Sequence, residues 1–524
     1  MTDDSTAAPE ELVPDEVIPH RHLPALRYRD MPLPLSWRKM VGPSIMLAGL
    51  SLGSGEFILW PYLTYKSGFI FFWACILGVI TQYFINMEVE RWTLATGESA
   101  ITGFCRLSPH WAWIMLVLNI LPWAWPAWAT GAGQMLSWLL LGPEVITDSA
   151  GQISYVAKYV PQLGIAGLFL VGIVLTAGPV VYNTVEKIQV FLVGLILVLV
   201  VVISAIVIRP DSVVALAKGS VSIGEMPDLD ATGLGFLTLM GALAFAGAGG
   251  STNLGQSNFI KDKGYGMGRY IGRITSPLTG QNEAISDVGY HFHHTPENMK
   301  RWRQWWRAAN VEHFFSFFVT CLLCLCLMSL ISHSLFYNSS GVLKPGMDQF
   351  GEGMDFVWGQ ATVLEGMTGD GILKVVFLVM GVAILMTTEL GVLDATARIS
   401  TDIVKVNYLQ DSEYWSSSRL YFCFLWFEIL LGSIILSVGA WYPKFSQPQF
   451  LLVTTAAMNG GVMFLYSLVL LYMNNKILPR KLTMSPLRFV MMVWACAFFG
   501  YFSFEALRLK VLPYLGEVVT RLFG

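Results

Sequence analysis

The sequence predicts an all-α, polytopic membrane protein with about eleven transmembrane helices. Of its 524 residues, 54% are apolar and only 13% are charged, and the mean hydropathy is +0.56. Apolar segments of about 20 residues recur along the chain, and each is long enough to cross a hydrocarbon core of about 30 Å. A helix in lipid also satisfies its own backbone polar groups. These observations favour one helical bundle over a series of soluble domains.

The predicted helices form a single transmembrane domain at residues 41–510. Residues 1–40 are polar and rich in proline, and we expect a mobile cytoplasmic arm there. Residues 511–524 form a short tail. The eleven spans begin near Gly42, Phe69, Trp111, Leu163, Lys187, Thr232, Asn310, Ile372, Leu420, Pro448 and Pro486.

Lysine and arginine orient the chain, because cytoplasmic loops carry the positive excess. Five of these residues lie between Arg21 and Lys39, and eight lie in the sixth-to-seventh connection between Lys261 and Arg307. The seventh-to-eighth connection, by contrast, contains one basic residue, Lys344, and five acidic residues. We therefore expect an integral protein of the plasma (inner) membrane with a cytoplasmic N-terminus.

The sixth-to-seventh connection also contains a histidine cluster, His291-Phe292-His293-His294. No cysteine or carboxylate lies beside it at the spacing of a zinc site. We interpret this segment as a solvated loop rather than a metal site.

Two of the predicted helices carry glycine clusters near their middle. The first holds Gly53, Ser54, Gly55 and Glu56, and the sixth holds Gly-Ala-Gly-Gly-Ser-Thr-Asn at residues 247–253. Irregular backbone at membrane depth is tolerated only against protein or beside a wet cavity. Corresponding interruptions in the two halves of a chain are typical of the substrate site of a transporter.

Polar groups within the spans are the candidate ligands, because a carboxylate at membrane depth is costly and marks a functional site by default. Glu56 follows the first cluster, where its carboxylate and freed carbonyls could bind a hard cation. Alternatively, Glu56 hydrogen-bonds the interrupted backbone and binds nothing. The cluster from Gly247 to Asn253 offers carbonyls, hydroxyls and an amide, or it packs helices closely through small residues.

Three further groups complete the set of candidates. Glu389 lies deep in the eighth span without a local partner, and we treat it as a second candidate for cation or proton handling. Asp394 and Arg398 lie one turn apart near the end of that span and predict an intrahelical ion pair. Asn459 lies beside two glycines in the tenth span.

The segment from Gly42 to Gly49, then Gln82 and the run from Leu94 to Ser99, resembles the first two helices of the Nramp family of divalent metal transporters. The run from Val185 to Ile188 is also similar to that family. The resemblance implies the LeuT-type architecture, with inverted repeats of five helices at about 42–208 and 232–475. Helices 1 and 6 are then discontinuous, unwound around a central site, and an extra helix follows at about 485–509.

The chain departs from this family at the expected metal site. The family's Asp-Pro-Gly-Asn is replaced by Gly53, Ser54, Gly55 and Glu56, and its Met-Pro-His by Phe245, Ala246 and Gly247. Asn459 stands at the place of a polar glutamine, and the third span has no acidic residue. A carboxylate is thus retained while the soft thioether is lost, which favours a hard ion such as Mg²⁺ or Mn²⁺.

We therefore predict a secondary active transporter of a divalent metal ion, working by alternating access, with Glu56 as the charged ligand. Two alternatives stay open: an ion-coupled transporter of a small organic solute on the same fold, and a non-transporting membrane sensor. An enzyme is excluded by the lack of a nucleophile–base set or phosphate loop. No cofactor is expected, and the coupling ion, H⁺ or Na⁺, is undecided. The expected partners are the transported ion or solute and the lipid bilayer, with no nucleic acid.

Overall fold

A computed structural model describes residues 11–149, 151–276, 286, 288–369, 371–439 and 441–511. In this part of the chain, nine helices are long and apolar enough to cross a membrane. The other two predicted spans are present as well, and they are the two that carry the glycine clusters. The helices are α1 (Pro43–Ser51, Leu52–Leu59 and Trp60–Ser67), α2 (Phe72–Thr96), α3 (His110–Trp123 and Ala127–Leu141), α4 (Val160–Ala177), α5 (Val181–Val207), α6 (Phe236–Ala244 and Thr252–Lys263), α7 (Pro296–His313, Phe314–Val319 and Thr320–Phe336), α8 (Ile372–Tyr408), α9 (Ser417–Val438), α10 (Pro448–Lys476) and α11 (Pro486–Ala506).

The predicted starts agree with these helices except at α5 and α7. Helix α5 begins at Val181 rather than near Lys187, and α7 begins at Pro296 rather than near Asn310. In α7 the reason is a polar first part, capped by Thr295, which hydropathy alone does not detect. The predicted tail lies outside the described residues beyond Val511.

Shorter elements connect the membrane helices. The main ones are the helices Ala100–Leu107, Pro210–Val221 and Asp355–Thr368, an antiparallel hairpin of Glu144–Thr147 with Ile153–Val156, and a parallel pair of Arg27–Tyr28 with Tyr290–His291. The hairpin connects α3 to α4, and the parallel pair joins the N-terminal segment to the chain just before α7.

The outer faces of α4, α5 and α9 expose large apolar side chains, among them Phe169, Phe191 and Phe427. By contrast, α2 and α8 are the most deeply buried of the apolar helices. In a membrane, the exposed apolar faces contact lipid, because lipid tails replace the protein interior as the apolar environment. The centre of the bundle is therefore formed around α2, α8 and the interrupted helices.

The N-terminal segment, residues 11–36, packs against the bundle, so the expectation of a mobile arm is wrong for this part of it. Five of its apolar side chains are buried: Val13, Ile18, Leu23, Leu26 and Met31. The Arg106 guanidinium donates hydrogen bonds to the carbonyls of Pro19 and Pro24. Residues 1–10 lie outside the described residues.

The histidine cluster is also packed rather than solvated at its first two positions. His291 and Phe292 are fully buried, and His291 Nδ1 lies 3.0 Å from the carbonyl oxygen of Ala95. Burial lowers the pKa of His291 to about 4, so its ring is neutral near neutral pH. The partner strand Arg27–Tyr28 covers this segment, which explains why polarity alone misled the prediction.

Candidate functional site

The first glycine cluster adopts a π-helical turn, Leu52–Leu59, within an otherwise α-helical α1. The Thr388 hydroxyl donates to the Gly49 carbonyl at 3.0 Å and accepts from the Gly53 N–H at 2.9 Å. It therefore replaces the direct α-helical bond between these two residues, which is a recognised way to distort a helix. Gly53 permits the insertion, because a Cβ there would lie 2.6 Å from the Thr388 oxygen. This segment of α1 is consequently discontinuous in helix type, but it is not unwound as the resemblance implied.

The second cluster is unwound between Ala244 and Thr252, as predicted. Gly247, Gly249 and Gly250 have φ values of 132°, 75° and 56°, which L side chains rarely adopt. The Gln82 amide from α2 donates to the carbonyls of Ala244 and Ala246, both at 3.0 Å. Its oxygen accepts from the Gly249 N–H at 3.1 Å. One glutamine thus satisfies three backbone groups that the interruption of α6 leaves without helical partners.

A third interruption lies in α3, between Trp123 and Ala127, where Pro126 precedes the second part of the helix. Glu389 of α8 accepts a hydrogen bond from the Ala129 N–H at 3.1 Å. A carboxylate at the start of a helix is favoured by the unpaired N–H groups and the helix dipole. Glu389 therefore has a partner after all, supplied by another helix, and it anchors the second part of α3.

Three aromatic rings fill the space between the interruptions of α3 and α6. The ring centroids of Trp123 and Trp128 are 5.4 Å apart. The ring centroid of Phe245 lies 5.8 Å from that of Trp123 and 6.0 Å from that of Trp128. The Trp123 indole donates to the Ser251 hydroxyl at 2.8 Å, and Ser251 donates to Asn119 at 2.8 Å. We call Trp123, Trp128 and Phe245 the aromatic triad. It closes the centre of the bundle at the level of both interruptions.

Glu56 lies on a different side of α1 from the two glycines that precede it. A Cβ at Gly53 would meet Thr388 of α8, and one at Gly55 would lie 1.5 Å from the Phe245 carbonyl oxygen of α6. The Glu56 carboxylate instead lies beside Ser51 and Cys321 of α7, whose Oγ and Sγ are 3.0 Å apart. Glu56 is 1% exposed, and neither of its oxygens has a hydrogen-bond partner among the described residues.

The remaining predicted ligands gather on the α6 interruption. The Asn253 amide donates to Gln82 at 3.3 Å and to the Tyr466 hydroxyl at 3.1 Å. A Cβ at Gly250 would lie 1.8 Å from Asn459 Oδ1, so α10 packs directly on this backbone. The side-chain oxygens of Asn253 and Asn459 are buried without a partner in the described part of the chain. They are available to accept hydrogen bonds or to ligate a cation.

The structure therefore divides the predicted ligands into two groups and leaves Glu56 apart from both. Gly55, Phe245 and Ala246 meet at the contact of α1 with α6, and Gly247, Asn253 and Asn459 surround Gln82 and Gly250, while Glu56 faces α7. The side chain of Ser54 lies outside the described part of the structure. In the described ranges, no three His, Cys, Asp or Glu side chains are placed to hold a metal ion together.

The sequence did not predict a role for Thr388, and Gln82 entered only through the resemblance. For Trp123 and Trp128 it predicted only that the aromatic-rich third span could line a pocket for an organic solute. The available signal was their polarity or position: Gln82 and Thr388 are polar residues deep within apolar helices, and the two tryptophans flank Pro126. Such residues mark places where the polar groups of an interrupted backbone need hydrogen-bond partners or must be shielded from lipid.

The two ends of the bundle differ. At the end covered by the N-terminal segment, Arg398 pairs with Asp394 at 2.8 Å, as predicted, and also with Asp262. Lys261 pairs with Asp402 at 2.7 Å beside it. At the other end, a vestibule of about 690 Å³ is lined by residues of α3, α6 and α10, the hairpin and the helix that follows α7, including Gln134, Thr238, Val453, Tyr155 and Asp355. Burial raises the pKa of Asp355 to about 6.

Comparisons with known proteins agree with this fold. No protein-family model and no curated protein matches the sequence. Three crystal structures of substituted forms of the manganese transporter of Eremococcus coleocola are 12% identical to this chain, with TM-scores of 0.61 to 0.62. They cover 91% to 93% of this chain, which in turn covers 87% to 90% of theirs. The predicted fold class, an all-α membrane bundle of the LeuT type, is confirmed.

Proposed function

We propose that this protein is a secondary transporter of a divalent metal ion that works by alternating access. The observation that carries the proposal is Glu56, a fully buried carboxylate that forms no ion pair with Lys, Arg or His among the described residues, in a π-helical turn of an interrupted helix. Such a group is costly unless a proton or a cation neutralises it. The fold supports the proposal, since it is shared with a manganese transporter over nine-tenths of the chain.

The vestibule and the ion pairs favour one state of the transport cycle. The pairs of Arg398 and Lys261 join helices at the end beside the N-terminal segment, and the larger cavity lies at the other end. We infer from the distribution of Lys and Arg that the closed end is cytoplasmic. The structure then corresponds to an outward-facing state of a plasma-membrane protein.

In this state the proposed ligands are apart, and the transport cycle must bring them together. We propose that movement of α1 relative to α6 places the Glu56 carboxylate next to the backbone of Gly53 and Gly247 and the amide oxygens of Asn253 and Asn459. An oxygen shell of this kind favours Mg²⁺ or Mn²⁺. Cys321 lies beside Glu56, so a contribution from its sulfur would instead favour Cd²⁺.

Uptake into proteoliposomes tests this function. Wild-type protein should take up Mn²⁺ or Mg²⁺ saturably, and Glu56→Gln should abolish uptake because the neutral amide cannot balance the charge of the ion. Glu505→Gln is the matched control, since it makes the same change in α11 at a residue paired with Arg508. Wild-type rates in Glu56→Gln would remove Glu56 from the site, and no metal flux from folded wild-type protein would contradict the function.

Including Cd²⁺ and the variant Cys321→Ser in this assay tests the ion preference. Oxygen ligation predicts that Cys321→Ser leaves Mn²⁺ uptake unchanged and that Cd²⁺ is a poor substrate. A strong preference for Cd²⁺ that disappears in Cys321→Ser would show that the thiol belongs to the site.

The vestibule supports a second candidate, transport of a small zwitterion. Its volume exceeds that of one hydrated ion, and the aromatic triad lies at the interrupted helices. The N-terminus of the second part of α6 would attract a substrate carboxylate. Saturable uptake of a zwitterion such as alanine, without metal flux, would favour this candidate.

A further inference from the structure

A second buried polar cluster lies away from Glu56, at the end of the bundle covered by the N-terminal segment. It consists of Glu312, Ser44, His313, Glu90 and Gln256, which are joined by hydrogen bonds except between His313 and Glu90, where a ring nitrogen lies close to a carboxylate oxygen. Ser44 Oγ donates to Glu312 and lies 2.8 Å from His313 Nδ1. The same His313 nitrogen lies 3.3 Å from Glu90 Oε1, which also accepts from Gln256 Nε2 at 2.9 Å. We call these five residues the carboxylate relay.

The relay is sealed from solvent and is only partly satisfied. Four of its five side chains are fully buried, and Glu312 is 5% exposed. Glu90 Oε2, His313 Nε2 and Gln256 Oε1 have no hydrogen-bond partner in the described part of the chain. Asn86 lies one turn before Glu90 on the same face of α2, and both polar atoms of its side chain are also without a partner. Several buried hydrogen-bonding atoms in one place without partners indicate a site that binds a small ligand or ion.

No cation balances the two carboxylates directly. Among the described residues, neither Glu90 nor Glu312 forms an ion pair with Lys or Arg. The nearest cations pair with other acids, Arg91 and Arg488 with Glu88 and Lys263 with Glu186. Arg488 is also near enough to act electrostatically on Glu90 and His313 without pairing with either. The other titratable groups that face the relay are the phenols of Tyr83, Tyr182 and Tyr265.

We propose that the carboxylate relay binds the proton that is coupled to transport, shared between Glu90 and Glu312 through Ser44 and His313. Two acids so close together in a dry site cannot both remain ionised without a counter-ion, and one bound proton removes half of their charge. When Glu312 is protonated, its O–H can pass a proton to Ser44 Oγ while the Ser44 proton moves to the lone pair of His313 Nδ1, which then gives it to Glu90 Oε1, 3.3 Å away. This proposal rests on the proposed function.

A proton fits the relay better than Na⁺. A sodium site needs several converging oxygens, whereas the centre of this cluster is a histidine ring, which can accept and release a proton and is a poor ligand for a hard monovalent cation. The metal-ligand candidates in α1 and α6 are separate residues, so the proton and the metal would occupy different sites.

The position of the relay explains how proton binding could act on transport. It joins α1 through Ser44, α2 through Glu90, α6 through Gln256 and α7 through Glu312 and His313. Two of these helices, α1 and α6, carry the interruptions at the candidate metal site. Gain or loss of one proton changes the hydrogen bonds that hold the ends of all four helices together, and so biases opening at this end.

The test uses full-length protein in proteoliposomes with an internal pH dye. Metal uptake by wild type should bring protons with it, and should respond to a pH gradient but not to a Na⁺ gradient. Glu90→Gln and Glu312→Gln should lose metal-driven proton flux while they keep passive metal exchange. Ser44→Ala, a smaller change that interrupts the chain, should shift the pH dependence of uptake. Unchanged proton flux in both Gln variants, or uptake driven by Na⁺, would overturn the proposal.

A measurement that needs no transport separates this proposal from the proposed function. Infrared difference spectra of the purified protein across neutral pH should contain a protonated-carboxyl band that decreases in Glu90→Gln and in Glu312→Gln but not in Glu505→Gln. If wild type moves no metal but keeps this band, the proposed function fails and the proton site stands. If the band is the same in all variants, the relay does not bind the proton.

Discussion

At the scale of single residues, side chains from neighbouring helices decide the form of each interruption. The Thr388 hydroxyl enters the hydrogen-bond ladder of α1 between Gly49 and Gly53, and α1 widens to a π-helix. The Gln82 amide replaces helical partners in α6, and the Glu389 carboxylate does so in α3. π-Helical turns are frequent at functional sites, because they aim a side chain in a direction that an α-helix does not allow. Here that side chain is Glu56.

Replacing Thr388 by Val should stop transport. Valine has nearly the same shape but no hydroxyl, so the Gly49 carbonyl and the Gly53 N–H lose their bridge and the π-helical turn loses its cause. Initial uptake rates in proteoliposomes measure the effect, with Thr388→Ser as the control that keeps the hydroxyl. Equal rates in the Val variant and wild type would mean that the turn has no role in transport.

Replacing Gln82 by Leu should destabilise the protein. Three buried backbone groups lose their partner, and each unsatisfied group costs about 1–3 kcal/mol. We expect a clear fall in the melting temperature of the purified protein in detergent. Thr64→Val provides a comparison at a buried polar residue of α1 outside the interruptions, and an equal melting temperature for Gln82→Leu and wild type would contradict the assigned role.

At the scale of elements, the N-terminal segment behaves as part of the bundle. Its strand Arg27–Tyr28 pairs with Tyr290–His291, and Tyr28 stacks on His293 with ring centroids 3.9 Å apart. Further along, the Trp305 indole donates to the Pro32 carbonyl at 2.8 Å. These contacts cover the end of the bundle that the ion pairs close, so the segment must rearrange if this end opens.

Limited trypsin digestion should therefore be slow after Arg27 and Arg29 in the folded protein. A mobile arm would be cut there at once, because a protease needs an extended and accessible backbone. Leu26→Asp places a charge at a buried position and should release the segment and speed cleavage. Mass spectrometry identifies the sites, and rapid cleavage of wild type at these arginines would contradict the packed arrangement.

At the scale of the whole molecule, the two ends differ: one contains the vestibule, and ion pairs join the helices at the other. The vestibule reaches Thr238 in the first part of α6, whereas Asn258 in its second part is 4% exposed beside the ion pairs. The aromatic triad separates these two parts of the helix. The proposed transport cycle assigns this arrangement to its outward-facing state.

Thiol labelling tests both the state and its orientation. In a Cys423→Ser background, which removes the exposed cysteine, Thr238→Cys should react with a membrane-impermeant reagent added outside intact cells. Asn258→Cys should resist it from either side until this end opens. Labelling of Thr238→Cys only after the membrane is made permeable would reverse the proposed orientation.

The sequence by itself determined the eleven spans, the positions of both glycine clusters and the ion pair of Asp394 with Arg398. These features depend on hydrophobic length, on glycine and on neighbours one helical turn apart, and all of them can be read locally. Only the tertiary structure decided that α1 has a π-helical turn at Leu52–Leu59, that Glu389 caps the second part of α3, that Glu56 faces α7 and that residues 11–36 are packed. Each of these depends on a contact between residues far apart in the chain, such as Thr388 with Gly53, and no local pattern specifies which distant side chain will satisfy an interrupted backbone.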